Sequence, residues 1–331
     1  MSRRLVKALA AAAAVALVAA GSALAANTGT VGVSVSGTST TIHVTLPKTS
    51  DPPAVLNILV PSGYTGTFGQ SAGSAIGSIP SATAYSYDTQ LTLPLTGQVL
   101  VSTLDQVGSA SYTPCLQGAT PAAVWILNLS VAGQTLAVPM YVLTGPTGYA
   151  YELRTCLPPP DVPTGTPGRA AFGAQLLDAE FTVTGVFSGT STTPWETLIT
   201  PYTPTKGTPN LAGTFEARSI VGSGSVTLSA KLNKKTHVAA LSGTVGGAGS
   251  GTVTIYRGAT PIATATASGG SFSAKAKVTG KKPVQFTAKV TGAESQTACS
   301  TPLPASVAPA GCASATVGAF TATSAAVTVK P

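Results

Sequence analysis

Apolar and polar residues alternate one by one through residues 122–143, on both sides of a short Ala-Gly turn. The apolar positions are Trp125, Leu127, Leu129 and Val131 before the turn, and Leu136, Val138, Met140 and Val142 after it. A period of two around a glycine-containing turn is typical of a β-hairpin with one buried face. Ala122–Leu143 is therefore predicted to be a hairpin. Pro139, which has no N–H to donate, is expected at an edge or a bulge.

Similar short alternations, separated by Gly, Pro, Ser or Asn, predict strands along the rest of the chain. In the first part these are Val31–Ser36, Thr41–Leu46, Ala54–Val60, Thr89–Pro94, Gln98–Leu104, Tyr149–Thr155 and Ala179–Phe187. In the last part they are Ser225–Leu232, Thr236–Val245, Thr252–Arg257, Ile262–Ser268, Ser271–Val278, Val284–Thr291 and a final strand near Ala325–Val329. Ala170–Leu177 is the one segment in which a short helix is considered. The pattern predicts an all-β protein with two β-sandwich domains.

The first 25 residues have the three parts of a secretory signal peptide. A basic start with Arg3, Arg4 and Lys7 precedes an apolar run, and Ala23-Leu24-Ala25 fits the small-residue cleavage pattern. No later segment is apolar enough to span a membrane, so no membrane span is expected in the mature chain. The protein is therefore predicted to be secreted, either extracellular or associated with the cell surface.

Composition divides the remaining chain into two domains and suggests how each is cross-linked. A Pro-, Thr- and Gly-rich linker at 204–213 is predicted to separate an N-terminal domain at 26–203 from a C-terminal domain at 214–331. Four cysteines in an exported chain indicate two disulfides, for which three pairings exist. The spacing favours Cys115–Cys156 and Cys299–Cys312, one in each domain. With two histidines in the whole chain, neither a metal site nor a cofactor is expected.

The C-terminal part resembles a known class of module. The strand-turn-strand TVTIYRGATPI and the strand GGSFSAKAKV are similar to bacterial immunoglobulin-like modules of surface and secreted proteins. The resemblance covers about Ser225–Pro331, and it implies an immunoglobulin-like sandwich that acts as a stalk, spacer or adhesion module. The segment CLPPPDVPTGTPGRAAFGAQLL of the N-terminal part resembles secreted actinobacterial proteins of unknown function, and it implies no activity.

Charge is distributed unevenly between the two predicted domains. Residues 27–203 contain three basic and eight acidic side chains, whereas residues 204–331 contain twelve basic side chains and two acidic ones. Alternation in the strands Ser271–Val278 and Val284–Thr291 predicts lysines on the solvent side of a single hairpin, together with two more in its turn. These lysines are Lys275, Lys277, Lys281, Lys282 and Lys289.

Two roles are open for these five lysines. They could protect a sheet edge and keep the protein soluble, or they could bind a polyanion such as an anionic cell-envelope polymer, a glycan or a lipid headgroup. Nucleic acid is not expected as a partner, because the chain is exported and no aromatic residue lies among the lysines.

Aromatic residues suggest a second kind of binding site. Tyr149, Tyr151 and Trp195 belong to an N-terminal part rich in aromatic side chains, and exposed flat rings could stack on sugars as in a carbohydrate-binding module. More often such residues are core or sheet-face packing.

Catalysis is not expected. Gly69–Gly73 fits the nucleophile-elbow pattern, but its flanks are predicted loop, and the one histidine after it is His237 in the other domain. The sequence therefore predicts a non-enzymatic, surface-associated binding or structural module. The alternative is a carbohydrate-binding module.

Overall fold

The computed structural model describes residues 27–131, 133–248, 251–267, 270–280, 282–298 and 314–331. Strands make up 60% of it and helices 6%, which confirms the predicted all-β class. The predicted signal peptide at 1–25 and the predicted Cys299–Cys312 disulfide lie outside the described residues.

Between Asn27 and Ile220, the described residues form short strands, two short helices and two 3-10 turns, Ala171–Gly173 and Leu211–Gly213. The helices are α1 (Leu104–Val107) and α2 (Ser109–Leu116). The strands are β1 (Thr30–Ser36), β2 (Ser39–Thr45), β3 (Pro53–Pro61), β4 (Tyr64–Gly66), β5 (Ala75–Ser86), β6 (Thr92–Ser102), β7 (Ala123–Val131), β8 (Gln134–Thr144), β9 (Tyr149–Cys156), β10 (Ala174–Thr184), β11 (Phe187–Gly189), β12 (Trp195–Pro201) and β13 (Phe215–Ile220).

All of these strands except β4 and β11 form one antiparallel sheet, in the order β1-β2-β10-β5-β6-β7-β8-β9-β3-β12-β13. The sheet curls until its two ends meet. The backbone N–H of Val33 in β1 donates to Oγ of Ser219 in β13 at 2.7 Å, and Ser34 forms a bridge with Gly222 just after β13. The two halves of the curled sheet thus face each other in a sandwich-like arrangement, and the inner face encloses the core.

Alternating apolar positions fill this interior, as the period-two pattern predicts. The predicted hairpin is confirmed, because β7 and β8 pair along their whole length from Ala123–Val142 to Val131–Gln134. Trp125 of β7 and Trp195 of β12 are fully buried. Burial of such large rings contributes strongly to stability.

The remaining strands build the C-terminal part. They are β14 (Ser223–Val226), β15 (Ser229–Asn233), β16 (Val238–Ala248), β17 (Thr252–Arg257), β18 (Thr260–Thr266), β19 (Ser271–Lys277), β20 (Val284–Gly292), β21 (Ser295–Ala298), β22 (Ser314–Val317), β23 (Phe320–Thr323) and β24 (Val327–Val329). One sheet contains β14, β15, β16 and β19, and a second contains β17, β18, β20, β23 and β24. Leu241, Ile255 and Phe286 lie in the buried core of this part.

The two parts are joined more closely than a linker would join them. Residues 204–213 lie in the loop between β12 and β13, which pair with each other, so the chain leaves the first sheet only after Ile220. This differs from the boundary that the sequence indicated, because proline and glycine in a hairpin loop resemble those of a linker. β22 also returns to pair in parallel with β13. Gly318 permits this packing, because a Cβ there would lie 1.8 Å from the carbonyl oxygen of Val33.

The predicted Cys115–Cys156 disulfide is confirmed and joins α2 to the end of β9. A small core of Leu116, Val124 and Tyr141 surrounds it. Helix α1 begins with a capping box, in which Thr103 and Gln106 satisfy each other's backbone N–H groups.

The predicted helix at Ala170–Leu177 is wrong beyond a single 3-10 turn, because Ala174 already begins β10. The separate strands predicted at Thr89–Pro94 and Gln98–Leu104 are one strand, β6.

Candidate functional site

Three strands of the C-terminal part present lysines on one exposed face. β15 and β19 pair with opposite sides of β16, and the register places Lys231 of β15 and Lys275 of β19 both opposite Ala240 of β16. Residues in register on adjacent strands point to the same side of a sheet, and all three are exposed. Lys277 follows Lys275 by two residues, so it lies on the same side.

The turn between β15 and β16 adds two exposed lysines, Lys234 and Lys235. Oδ1 of Asn233 accepts hydrogen bonds from the backbone N–H groups of Lys235 at 3.0 Å and Thr236 at 3.2 Å, which close this turn. Asn233 and Lys277 are opposite the same residue of β16, so the turn lies beside Lys277. We call the following set the basic face: Lys231, Lys234, Lys235, Lys275 and Lys277.

The middle of the basic face is low, because β16 presents the small side chains of Ala240 and Ser242 to solvent. Neighbouring strands lie about 4.8 Å apart, so Lys231 and Lys275 flank β16 at roughly twice that spacing. Within the described part of the chain, no ion pair involves a lysine of this face. The arrangement is a shallow, positively charged trough.

The prediction that five lysines share one hairpin is wrong. β19 pairs with β16, whereas β20 pairs with β17 in the opposite sheet, because the connection between β19 and β20 crosses from one sheet to the other. Lys275 and Lys277 therefore lie on one sheet, and Lys289 is exposed on the other. Lys282 lies in the crossing connection, and Lys281 is outside the described residues.

The aromatic residues proposed for sugar stacking lie in the interior. Trp195 is fully buried, and Tyr149 is 7% exposed. Tyr151 is partly buried, and its hydroxyl oxygen accepts a hydrogen bond from the backbone N–H of Gly66 at 2.9 Å. The rings of Tyr151 and Trp195 both contact Phe187, with centroids 6.1 Å and 5.9 Å from its ring. These side chains pack a core and offer no exposed platform for a sugar.

The residues of the nucleophile-elbow pattern, Gly69–Gly73, are mostly exposed. Ser71 lines a shallow pocket together with Gly77 and Thr182, and no histidine is among the lining residues. Among the described residues, there is also no group of three or more His, Cys, Asp or Glu side chains that could hold a metal ion.

His43 links the two parts of the chain. Nε2 of His43 lies 2.7 Å from Oδ2 of Asp178 in β10, and its Nδ1 lies 3.2 Å from Oε2 of Glu294, which follows β20. The hydrogen bond to Glu294, with a further contribution from Asp178, raises the pKa of His43 to about 9 although partial burial opposes the rise. This histidine is therefore positively charged at neutral pH and attracts both carboxylates.

A second ionisable cluster is buried inside the closed sheet. The hydroxyl of Tyr149 donates to Oε2 of Glu196 at 2.5 Å. Glu196 lies opposite Arg218 of β13, which forms an ion pair with Glu216. Burial raises the pKa of Glu196 to about 7 and also raises the pKa of Tyr149. We interpret this cluster as a packed internal network, since its members are enclosed on all sides.

Comparison with protein-family models, with curated proteins and with solved structures finds no match to the chain. The resemblance of the C-terminal part to immunoglobulin-like modules thus stays a prediction. Neither of the helices in the described residues has the length or apolar character needed to cross a membrane.

Three of the basic-face lysines were not singled out from the sequence. Lys231 could have been found, because it alternates with the inward-facing Ala230 and Leu232. The proximity of Lys231 to Lys275 could not have been predicted from the sequence, because it depends on which strands pair with β16.

Proposed function

We propose that the protein is a non-enzymatic binding module of the cell envelope whose basic face docks onto an anionic polymer. The observation that carries the proposal is the trough along β16, in which exposed lysines of β15 and β19 flank a strand of small side chains. Charge complementarity of this kind selects a partner with closely spaced negative groups.

The shape of the trough favours an extended chain over a compact ligand. A polymer that runs along β16 would meet Lys231 on one side and Lys275 on the other, and then the turn lysines. Each exposed lysine contributes little by itself, because exposed charges are hydrated and are screened beyond about 8 Å at physiological salt. Useful affinity therefore requires several repeating anionic groups at once.

Export to the cell surface is part of this proposal. A basic start, an apolar run and a small-residue cleavage pattern at the N-terminus support it, and the disulfide between Cys115 and Cys156 is of the kind that persists in oxidising compartments. An envelope polymer rich in phosphodiester or carboxylate groups is the partner that this compartment and this charge favour together.

The proposal is tested by co-sedimentation of the full chain with an insoluble phosphodiester-rich wall polymer, with neutral dextran beads as the reference. Substitution of Lys231, Lys275 and Lys277 by glutamine should reduce binding at least about tenfold at physiological salt, because three of the five charges are removed. The matched control replaces three exposed lysines elsewhere by glutamine, namely Lys206, Lys289 and Lys330.

The two triple variants have the same net charge. If binding depended only on the total charge of the protein, both variants would lose the same amount of polymer binding. Equal binding by the two variants, or binding by the wild type to neutral dextran, would overturn the proposal. Binding to anionic lipid vesicles but not to the polymer would assign the face to a membrane surface instead.

A further inference from the structure

The closed sheet of the N-terminal part contains an internal cavity of about 170 Å³. It lies where two strands diverge. β8 and β9 pair only between Tyr141–Thr144 and Tyr151–Arg154, so the earlier half of β8 has no strand partner on that side among the described residues. Pro139 is in this unpaired half, which agrees with the edge position expected for a proline. Leu157, Pro158 and Pro160, in the chain after β9, also line the cavity.

The lining is almost wholly apolar and comes from both halves of the curled sheet. Its members include Leu56, Leu127, Leu136, Met140, Leu176 and Phe181. Several of these side chains point inward and yet are only partly buried, among them Leu127, Leu136 and Leu176. An inward-facing leucine that is only partly buried borders an empty space, because protein interiors are normally packed without such gaps.

Two polar side chains line the cavity, and one of them has no partner. Gln175 is satisfied, because its Nε2–H donates to the carbonyl of Ser50 at 3.1 Å and its Oε1 accepts from the hydroxyl of Tyr87 at 2.8 Å. Thr155 is 3% exposed, and its Oγ1 has no hydrogen-bond partner within the described part of the chain. A buried hydroxyl without a partner is costly, and such groups call for a specific explanation.

We infer that this cavity binds a small apolar molecule, about the size of one aromatic ring, that carries a single hydroxyl or carbonyl group to meet Thr155. The size fits, because an apolar cavity of about 150 Å³ is large enough to hold benzene. A water molecule suits the site poorly, because it needs two to four polar partners and the described lining offers one unpartnered side-chain hydroxyl. The ligand class is independent of the basic face, which lies on the C-terminal part.

A second, smaller cavity of about 60 Å³ marks the route by which such a molecule would enter. Leu136 and Ala174 line both cavities, and the outer one is also lined by Phe172. Phe172 is 40% exposed, although it is a large apolar side chain. The two spaces thus adjoin each other through these shared residues, and the outer one lies beside the exposed Phe172.

The test uses phenol and toluene, which have nearly the same shape and differ in the hydroxyl group. Met140 lines the cavity and is the one methionine of the chain besides Met1. A ¹³C-methyl label on methionine therefore reports the interior directly. Both probes should shift the Met140 methyl signal in the full-length protein. If neither probe shifts it at concentrations up to their solubility, the inference is wrong.

Variants separate the role of the hydroxyl from that of the cavity. Thr155→Val should weaken phenol binding roughly fivefold, which is the usual effect of one lost hydrogen bond, and should leave toluene binding unchanged. Thr40→Val is the matched control, because Thr40 is 1% exposed with an equally unpartnered hydroxyl among the described residues but does not line the cavity. Equal effects of the two variants on phenol binding would overturn the role of Thr155.

Filling the space tests the site itself. Ala84→Leu and, separately, Ala179→Leu each add a side chain to the lining, and either one should abolish the response to both probes. Circular dichroism identifies which variant retains the fold. If a folded variant of this kind still binds toluene, the probe binds elsewhere and the inference is wrong. If both variants unfold, the Met140 methyl signal of the wild type still reports directly whether the probes enter the cavity.

Discussion

The contact between His43 and Glu294 should make the stability of the protein fall as the pH rises above neutral. Glu294 reaches His43 from the loop after β20, and it contributes most to raising the pKa of that histidine to about 9. A base whose pKa is higher in the folded state stabilises the fold fully below its unfolded pKa of about 6.5 and loses this contribution as the pH passes through its folded pKa. The stabilisation is therefore complete below about pH 6.5 and absent above about pH 9.

The rise of the pKa from 6.5 to about 9 corresponds to about 3 kcal/mol if it is taken at face value. The two side chains are 29% and 31% exposed, so solvent screens the interaction, and about 1 kcal/mol is the more realistic figure for Glu294 alone. Urea unfolding at about pH 6 and about pH 9.5 measures this difference. Glu294→Gln should lose about 1 kcal/mol at the lower pH and little at the higher one.

Two further variants give this prediction its controls. A Cβ at Gly32 would lie 2.0 Å from Oε2 of Glu294, so Gly32→Ala should displace the carboxylate without removing a charge. Like Glu294→Gln, it should therefore lose stability at about pH 6 and little at about pH 9.5. Glu180→Gln removes a carboxylate that lies opposite His43 in the register, and it should have a smaller effect. If the wild type and Glu294→Gln lose the same stability between the two pH values, the contact between His43 and Glu294 is not the cause of the pH dependence.

Three other perturbations test the fold. Replacing Cys115 and Cys156 by serine should lower the free energy of unfolding by about 4 kcal/mol, which is the loop-entropy value for a sequence separation of 41. If urea unfolding shows a loss below about 1 kcal/mol, the disulfide does not stabilise the fold through loop entropy. The free energy of unfolding of Glu196→Gln, relative to that of the wild type, should be about 2 kcal/mol higher at about pH 8 than at about pH 4. Burial raises the pKa of Glu196 to about 7, so the folded wild type must give up a proton from a buried carboxyl as the pH rises, whereas glutamine has no such proton. A difference in stability that does not change with pH would argue against this explanation. Gly318→Ala should lower the melting temperature, because its Cβ would overlap the carbonyl of Val33, and an unchanged temperature would mean that the two parts can separate there.

The sequence predicts individual strands well where one face is buried and the other is exposed. The hairpin of β7 and β8 follows from a strict alternation that includes Trp125 and Met140, which pair across the hairpin and are both buried. The period-two rule works here because each inward position must be apolar to fill the closed sheet. Strand β5 carries polar and small residues through much of its length and was not predicted, since its register contains two bulges that break the alternation.

Strand order could not be predicted, because pairing partners are distant in the chain. β10 joins β2 to β5, and β22 returns to β13, although neither connection leaves a local signal. The same limit applies to the candidate site. The outward orientation of Lys275 follows from the alternation around Ala274 and Ala276, but its neighbour proved to be Lys231 rather than Lys289, because β19 and β20 belong to different sheets.

Binding of an anionic polymer to the basic face can be read residue by residue from lysine acetylation with and without a soluble phosphodiester-rich wall polymer, followed by mass spectrometry of each peptide. The polymer should protect Lys231, Lys234, Lys235, Lys275 and Lys277 from acetylation, and this protection should disappear at high salt. The exposed lysines Lys206, Lys289 and Lys330 should react equally in both cases. Uniform protection of all eight lysines, or protection centred on Lys289, would contradict binding at the basic face.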